Sequence, residues 1–244
     1  MRIDAAAHAS RWRGVAPSAK ALFALGGTAA AWTAQRPATL ALLAALLALA
    51  ALLGARVPPR TYLAAAMAPC GFLLLSGLTM LASPGPDGAW SWNGAALAQA
   101  GRAALRSLAV LAALLGLVLT TPLPDLLALL RRLRVPELLL DLMVLCYRML
   151  FVLRQAWDEG LTAQRARLGY GGWRQAWRST GMLAGQLAVQ VWQRAAALQL
   201  AADARCHDGR LRFLASPQPA ARRDLVLACL GGAALVLLAL GERL

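Results

Sequence analysis

The stretch ATLALLAALLALAALLGA, residues 38–55, contains no charged side chain and a single hydroxyl group, that of Thr39. A transmembrane α-helix needs about 20 consecutive, mostly apolar residues. These residues therefore predict a helix that crosses a lipid bilayer, and they are the clearest such signal in the chain. Arg36 precedes the stretch and Arg56 follows it.

Four other apolar stretches predict spans at about residues 19–34, 62–82, 103–120 and 225–240. The first is weak because Lys20 lies at its edge. The third carries Arg106 in its predicted first turn, and we expect that side chain to reach back to the membrane interface. The pattern favours five spans in total and leaves a sixth open.

The composition argues against a water-soluble enzyme, since 59% of the 244 residues are hydrophobic, 15% are charged and the mean hydropathy is +0.56. The net charge of +14 would ordinarily suggest a nucleic-acid partner, but such proteins carry their arginines on a polar, soluble surface. Here the arginines lie between apolar runs, so we expect a lipid bilayer and no nucleic acid as partner. Lys20 is the only lysine and follows no glycine-rich loop, which excludes a P-loop ATPase.

The cysteines and histidines predict no metal or cofactor site. The four cysteines show no CxxC or other close spacing and lie in or beside apolar segments, so we interpret them as small apolar side chains. His8 and His207 are the only histidines. His207 precedes Asp208, and a solvated pair at a helix end explains this better than a pair of metal ligands.

The basic residues predict the orientation in the membrane, because lysine and arginine accumulate on the cytoplasmic side. With the N-terminus inside, 21 of the 25 basic residues fall on that side and four fall outside. We therefore expect a cytoplasmic N-terminus. An outer loop at 83–99 carries Trp90 and Trp92, which we interpret as residues of the membrane interface.

The chain divides into three predicted domains, namely a membrane domain (1–120), a cytoplasmic helical domain (121–221) and a last membrane span (222–244). Within the second domain, prolines bracket a short helix predicted at 125–134. Two long helices follow, the first from Pro136 to about Arg167 and the second from about Trp173 to Arg205.

Each long helix has a wide apolar face and a thin polar stripe, so we expect the two to pack on each other and against the spans. Two further membrane hairpins are the alternative. The charged residues Asp158, Glu159, Arg165 and Arg167 argue that the distal ends lie in water.

The two long helices end alike, in Ala163-Gln164-Arg165-Ala166-Arg167-Leu168-Gly169 and in Ala201-Ala202-Asp203-Ala204-Arg205-Cys206. In each, alanines three residues apart leave one side of the last turn bare before an arginine. We expect Gly169 to cap the first helix. The guanidinium can offer a forked donor to a carboxylate of another protein. A single arginine there would be ordinary dipole complementation, but its repetition on two helices favours docking.

These helix ends resemble those of the transmembrane T component of energy-coupling-factor importers, most closely its cobalt branch, the CbiQ family. Further similar motifs are Pro122-x-Pro124-Asp125-Leu126, Leu133-Arg134-Val135-Pro136 and Cys146-Tyr147-Arg148. The likeness covers nearly the whole chain and is strongest at about 121–212. It departs from the family pattern at Leu168, which separates Arg167 from Gly169, and at Cys206, where the family has glycine.

The resemblance implies an all-α polytopic membrane protein with about five transmembrane helices and a cytoplasmic coupling domain whose two long helices cross. It implies a non-catalytic subunit without a cofactor, in the bacterial inner (plasma) membrane. Its partners would be two ABC-type ATPase subunits and a substrate-binding membrane subunit of the CbiM or NikM type. Motion driven by ATP would pass through the coupling domain to that subunit, which would carry cobalt or, as second choice, nickel. The ATPase-binding residues would be Ala163, Ala166, Arg167, Gly169, Ala201, Ala204 and Arg205.

Two rival functions differ from coupling. The first is a membrane-embedded enzyme acting on a lipid or phosphorylated substrate, with arginines that bind phosphate. The acidic residues argue against it, because only Asp158 and Glu159 are adjacent and no DxxD, HExxH or GxSxG motif occurs. The second is a permease working alone, which lacks charged residues within its spans to line a path.

Overall fold

The structure is a computed structural model that describes residues 2–81, 94–206 and 222–242. Every regular element in these ranges is helical, which confirms the all-α fold class. The elements are α1 (Arg2–Ala9), a 3-10 turn (Arg11–Gly14), α2 (Pro17–Thr33), α3 (Pro37–Leu49) with a π-helical extension (Ala50–Gly54), α4 (Pro59–Leu81), α5 (Gly94–Thr120), α6 (Leu123–Arg132), α7 (Glu137–Ala166), α8 (Trp173–Asp203) and α9 (Arg222–Leu240). Trp90, Trp92, His207 and Asp208 lie outside the described residues.

Four helices of the described chain are long and apolar enough to cross a membrane: Pro37–Gly54, Pro59–Met80, Leu97–Thr120 and Arg222–Leu240. They correspond to four of the five predicted spans. The remaining one, α2, has only 17 residues, which is at the lower limit for a bilayer. The chain is thus a polytopic membrane protein, with four clear spans among the residues that the structure describes.

The chain forms two compact units, one of Met1–Leu129 with Ala215–Leu244 and the other of Leu130–Leu214. The first unit is built on close approach between helix backbones, because its buried core is rich in alanine. A Cβ atom added to Gly26 of α2 would lie 2.7 Å from the Cα of Gly232 on α9. Small residues give transmembrane helices this contact, since packing and not water exclusion holds them together in lipid.

The start of α5 and the position of Arg106 correct the prediction for that span. The helix begins at Gly94 and not near Ala103, so Arg106 lies well inside it. Nη2 of Arg106 donates to the carbonyl of Ala34 at 3.1 Å, and its guanidinium lies 5.7 Å from the ring centroid of Trp32. The arginine thus satisfies the C-terminal end of α2.

The side chain of Lys20 connects the start of α2 to the end of α5. Its side chain is buried, with 5% exposed, and its Nζ donates to the carbonyl of Thr120 at 2.8 Å. Thr120 is the last residue of α5, where carbonyls lack partners within the helix and where a cation complements the dipole. The hydroxyl of Ser10 also donates to this carbonyl, at 3.4 Å. The N-terminal segment and the end of α5 are therefore joined by polar contacts.

The second unit contains α7 and α8, which follow the predicted bounds within two residues. The short helix predicted at 125–134 runs instead from Leu123 to Arg132, so Pro124 lies in its first turn, where a missing N–H costs nothing.

The α7–α8 core is small. It consists of Ala156 on α7 with Leu183 and Leu187 on α8, all at most 9% exposed. Gly160 is needed at this contact because an added Cβ would overlap the Cδ1 atom of Leu183. The two helices therefore pack on each other, as expected, through the C-terminal half of α7 and the first half of α8.

Candidate functional site

The C-terminal end of α7 has the hydrogen bonds of a Schellman cap. The N–H of Leu168 donates to the carbonyl of Arg165 at 3.0 Å, and the N–H of Gly169 donates to that of Gln164 at 2.9 Å. These are the 5→2 and 6→1 bonds of the motif. The left-handed residue of this cap is Leu168, with φ 54°, and not the predicted Gly169.

Gly169 occupies the next position, where space and not backbone conformation requires glycine. An added Cβ would lie 2.7 Å from Oγ of Ser179 and 2.9 Å from the carbonyl oxygen of Gln164. The Ser179 hydroxyl, which is buried, donates to the carbonyl of Gly169 at 2.8 Å. This bond ties the end of α7 to the second turn of α8 and fixes the corner between them.

The other predicted residues of this end all face solvent. Ala163, Ala166 and Arg167 are exposed, and Leu168 is 78% exposed. The bare alanine side and the guanidinium are thus both accessible to another protein, while Gly169 supports them from within. The structure therefore places all four predicted residues of the first helix end together.

The end of α8 has the 5→2 bond of this cap with a different sequence. Cys206 takes the left-handed conformation, with φ 52°, and its N–H donates to the carbonyl of Asp203 at 3.0 Å. Ala201, Ala204 and Arg205 are exposed. In both helices the arginine is therefore followed at once by a left-handed residue.

The two ends are not brought together. One precedes α8 and the other follows it, and α8 has 31 residues, which corresponds to about 46 Å at 1.5 Å per residue. Two exposed guanidiniums this far apart cannot bind one small ligand. They can engage two separate carboxylate-bearing surfaces, each through a forked, charge-assisted contact.

No cluster of three or more potential metal ligands occurs among the residues that the structure describes. His8, on α1, is exposed.

Two features of the site were missed from the sequence, namely the left-handed Leu168 and the Ser179 contact. Because glycine is the usual left-handed residue of a helix cap, the sequence pointed to Gly169 and not to Leu168. The only signal for Ser179 was a small polar residue close to the start of the second long helix.

Comparisons with known proteins identify the family of the chain. A family model described as a cobalt transport protein, CbiQ, matches residues 9–214. The cobalt transport protein CbiQ of Rhodobacter capsulatus is 38% identical over 221 residues, which is 90% of this chain and 89% of that protein. The CbiQ protein of Salmonella typhimurium is 33% identical over 156 residues, 58% of this chain and 68% of that protein.

A third relative is named as a fusion protein. The fused cobalt transport protein CbiMQ of Methanocorpusculum labreanum is 31% identical over 218 residues, which cover 85% of this chain and 36% of that protein. The match to the family model and the length of the first alignment show that the chain belongs to the CbiQ family of cobalt transport proteins.

Proposed function

We propose that this cobalt transport component is the non-catalytic coupling subunit of an energy-coupling-factor importer in the bacterial inner membrane, with its N-terminus in the cytoplasm. Two ABC-type ATPase subunits bind its two helix ends. Motion driven by ATP passes through the α7–α8 pair to a substrate-binding membrane subunit, which carries cobalt or, as the second choice, nickel. ATP hydrolysis takes place in the partner subunits.

The observation that carries this proposal is the pair of exposed arginines, Arg167 and Arg205, each at the C-terminal end of a long helix. Each is followed by a left-handed residue that turns the chain away from the helix axis. Alanines on the preceding turn leave room for a groove wall to approach. The separation of about 46 Å along α8 matches two binding partners and not one.

The packing of α7 on α8 supports a mechanical function. Force applied at one helix end can reach the other only if the two helices move as one body. The buried contact of Leu183 with Gly160 and the bond from Ser179 to Gly169 resist sliding at two points. Interdigitated contacts of this kind change between discrete arrangements and do not deform continuously.

The fused relative supports the identity of the membrane partner, because a protein named CbiMQ joins a CbiM part to a part similar to this chain. We infer that this chain binds a separate subunit of the CbiM or NikM type. The relatives are named as transport proteins, which favours coupling over an enzyme acting on a lipid or phosphorylated substrate.

The test reverses one charge at each end. Arg167→Glu and Arg205→Glu are introduced singly and together into the full transporter, and ATP-driven cobalt uptake is measured with the recovery of ATPase subunits on purification. Truncating one partner of a buried charge contact costs about 2–5 kcal/mol. Each single variant should therefore bind the ATPase about 30-fold more weakly or worse, and the double variant should show no uptake.

Arg194→Glu serves as the matched control, since Arg194 is an exposed arginine of α8 that lies outside both ends. It should keep both the ATPase subunits and uptake. Normal uptake by the double variant, or equal loss in the control, would contradict the docking function of the two ends.

A further inference from the structure

Two tryptophans at the start of α8 are almost fully exposed. Trp173 is 85% and Trp177 is 76% exposed, and their rings stack with centroids 6.4 Å apart and planes inclined by 26°. Two stacked indoles of this accessibility form an apolar surface that protrudes from the helix. Proteins seldom leave such a surface in water, because each indole can bury more than about 150 Å².

The charge around the pair has one sign. No acidic residue occurs at positions 160–202, a stretch that contains five arginines. Arg174 and Arg178 directly follow the two tryptophans in the chain and are exposed. Neither belongs to an ion pair in the part of the chain that the structure describes. The surface that covers the tryptophans must therefore accept positive charge beside them.

These features follow one another around α8. At about 100° per residue, Trp177 lies about 40° around the helix from Trp173, and Arg174 and Arg178 lie about 100° and 140° from it. The residues that contact α7, Leu183 and Leu187, lie about 80° and 40° from it on the opposite side, so the tryptophans lie between the α7 contact and the arginines. The small apolar residues Ala184 and Ala188 lie within about 60° of Trp173 and extend the tryptophan stripe along the helix.

We propose that this stripe rests on the cytoplasmic surface of the bilayer, with the indoles at headgroup depth and Arg174 and Arg178 on anionic lipid phosphates. Tryptophan is enriched at this level of a membrane. A helix with aromatic residues on one face and arginines beside them lies in the interface plane. The partner is thus an anionic lipid surface, reached by a segment that α5 and α9 tether to the membrane at both ends.

The observations favour lipid over a protein partner. The apolar stripe behind the tryptophans is made of small side chains, so the two indoles project beyond it. A headgroup layer accommodates such a projection and supplies negative charge along its whole extent. The inference goes beyond the proposed function, because it concerns contact with the bilayer and not with either ATPase.

The test uses the full chain in nanodiscs, made of phosphatidylcholine alone or mixed equally with phosphatidylglycerol. Tryptophan emission is measured with and without lipids brominated near the headgroup. The double variant Trp173→Phe/Trp177→Phe is subtracted from the wild type to isolate the pair among the 8 tryptophans. We expect the emission of the pair to be quenched by brominated lipid, and more strongly when phosphatidylglycerol is present.

Two controls make the result specific. Trp157 packs against the α7–α8 core, so the emission lost in Trp157→Phe should be insensitive to bromination. Arg178→Gln should weaken lipid contact of the pair about fivefold in the anionic discs, whereas Arg194→Gln, about 31 Å along the helix from Trp173, should leave it unchanged.

Emission of the pair that aqueous acrylamide quenches and brominated lipid does not would overturn the proposal. Protection of the pair only after ATPase subunits are added would also overturn it, in favour of a protein surface. Neither result depends on cobalt uptake, so failure of the lipid contact is distinguishable from failure of the coupling function.

Discussion

The contact between Gly160 and Leu183 allows a size-exchange experiment on the α7–α8 pair. Leu183 is 1% exposed, so Leu183→Ala removes buried atoms and should cost about 2–5 kcal/mol. Gly160→Ala places a methyl group where the Cδ1 atom of Leu183 lies. Overpacking of this kind costs about 1–3 kcal/mol. Alanine is more stable than glycine within a helix by about 0.5–1 kcal/mol, which offsets part of that cost.

The double variant should be less destabilised than the sum of the two single changes. The methyl group added by Gly160→Ala then occupies space that the leucine has left, and residues in direct contact commonly show coupling energies of about 0.5–3 kcal/mol. Because each 1.4 kcal/mol is about tenfold in an equilibrium constant, the coupling corresponds to a factor between about 2 and about 150.

Hydrogen exchange of the α7 and α8 amides measures this quantity in the full chain in nanodiscs, since local opening sets the exchange rate. Both single variants should exchange faster, and the double variant should recover part of the protection. In the assembled transporter the ratio of cobalt uptake to ATP hydrolysis should likewise fall in both single variants and partly recover in the double variant.

Gly185→Ala is the matched control, because it changes a glycine of α8 whose added Cβ meets nothing within 4 Å. It should leave exchange unchanged or slow it slightly. If the effects of Gly160→Ala and Leu183→Ala simply add, the two positions do not share the contact described and the reasoning is refuted.

Three further predictions concern other contacts. Gly26→Ala should destabilise the α2–α9 packing by about 1–3 kcal/mol, visible as a lower yield of folded protein, whereas Gly77→Ala, with open space around it, should not. Lys20→Met leaves the terminal carbonyl of α5 without its lysine donor and should cost about 1–3 kcal/mol, measured as an earlier thermal transition. Cys206→Gly relieves about 1–2 kcal/mol of left-handed strain, so uptake should stay close to that of the wild type.

The sequence predicted the parts of the fold that depend on local pattern. Uninterrupted apolar runs located four clear spans, and prolines and a repeated Ala-x-x-Ala-Arg pattern located α7, α8 and their ends. Arg106 shows where this reasoning failed. A charge in an apolar run was expected to mark the start of a helix, but its partner is a carbonyl 72 positions away, and a local pattern contains no information on such a contact.

The caps show a second limit. Glycine is the usual residue in a left-handed cap because other residues have a Cβ penalty there, so Gly169 was the reasonable choice from sequence. The structure puts Leu168 in that position because Gly169 is already required for the approach of Ser179. Gly169 leaves space for Ser179, so the left-handed conformation falls to the residue before it, Leu168.

Both helix ends therefore carry the same local strain by different routes, since Leu168 and Cys206 have φ values of 54° and 52°. A left-handed residue other than glycine costs about 1–2 kcal/mol and persists only where surrounding contacts fix it. A glycine in its place would give the chain after the arginine more accessible conformations. A bulkier residue restricts them, so the path of the chain after each arginine is narrowed before a partner arrives. If the ends dock as proposed, less conformational entropy is then lost on binding.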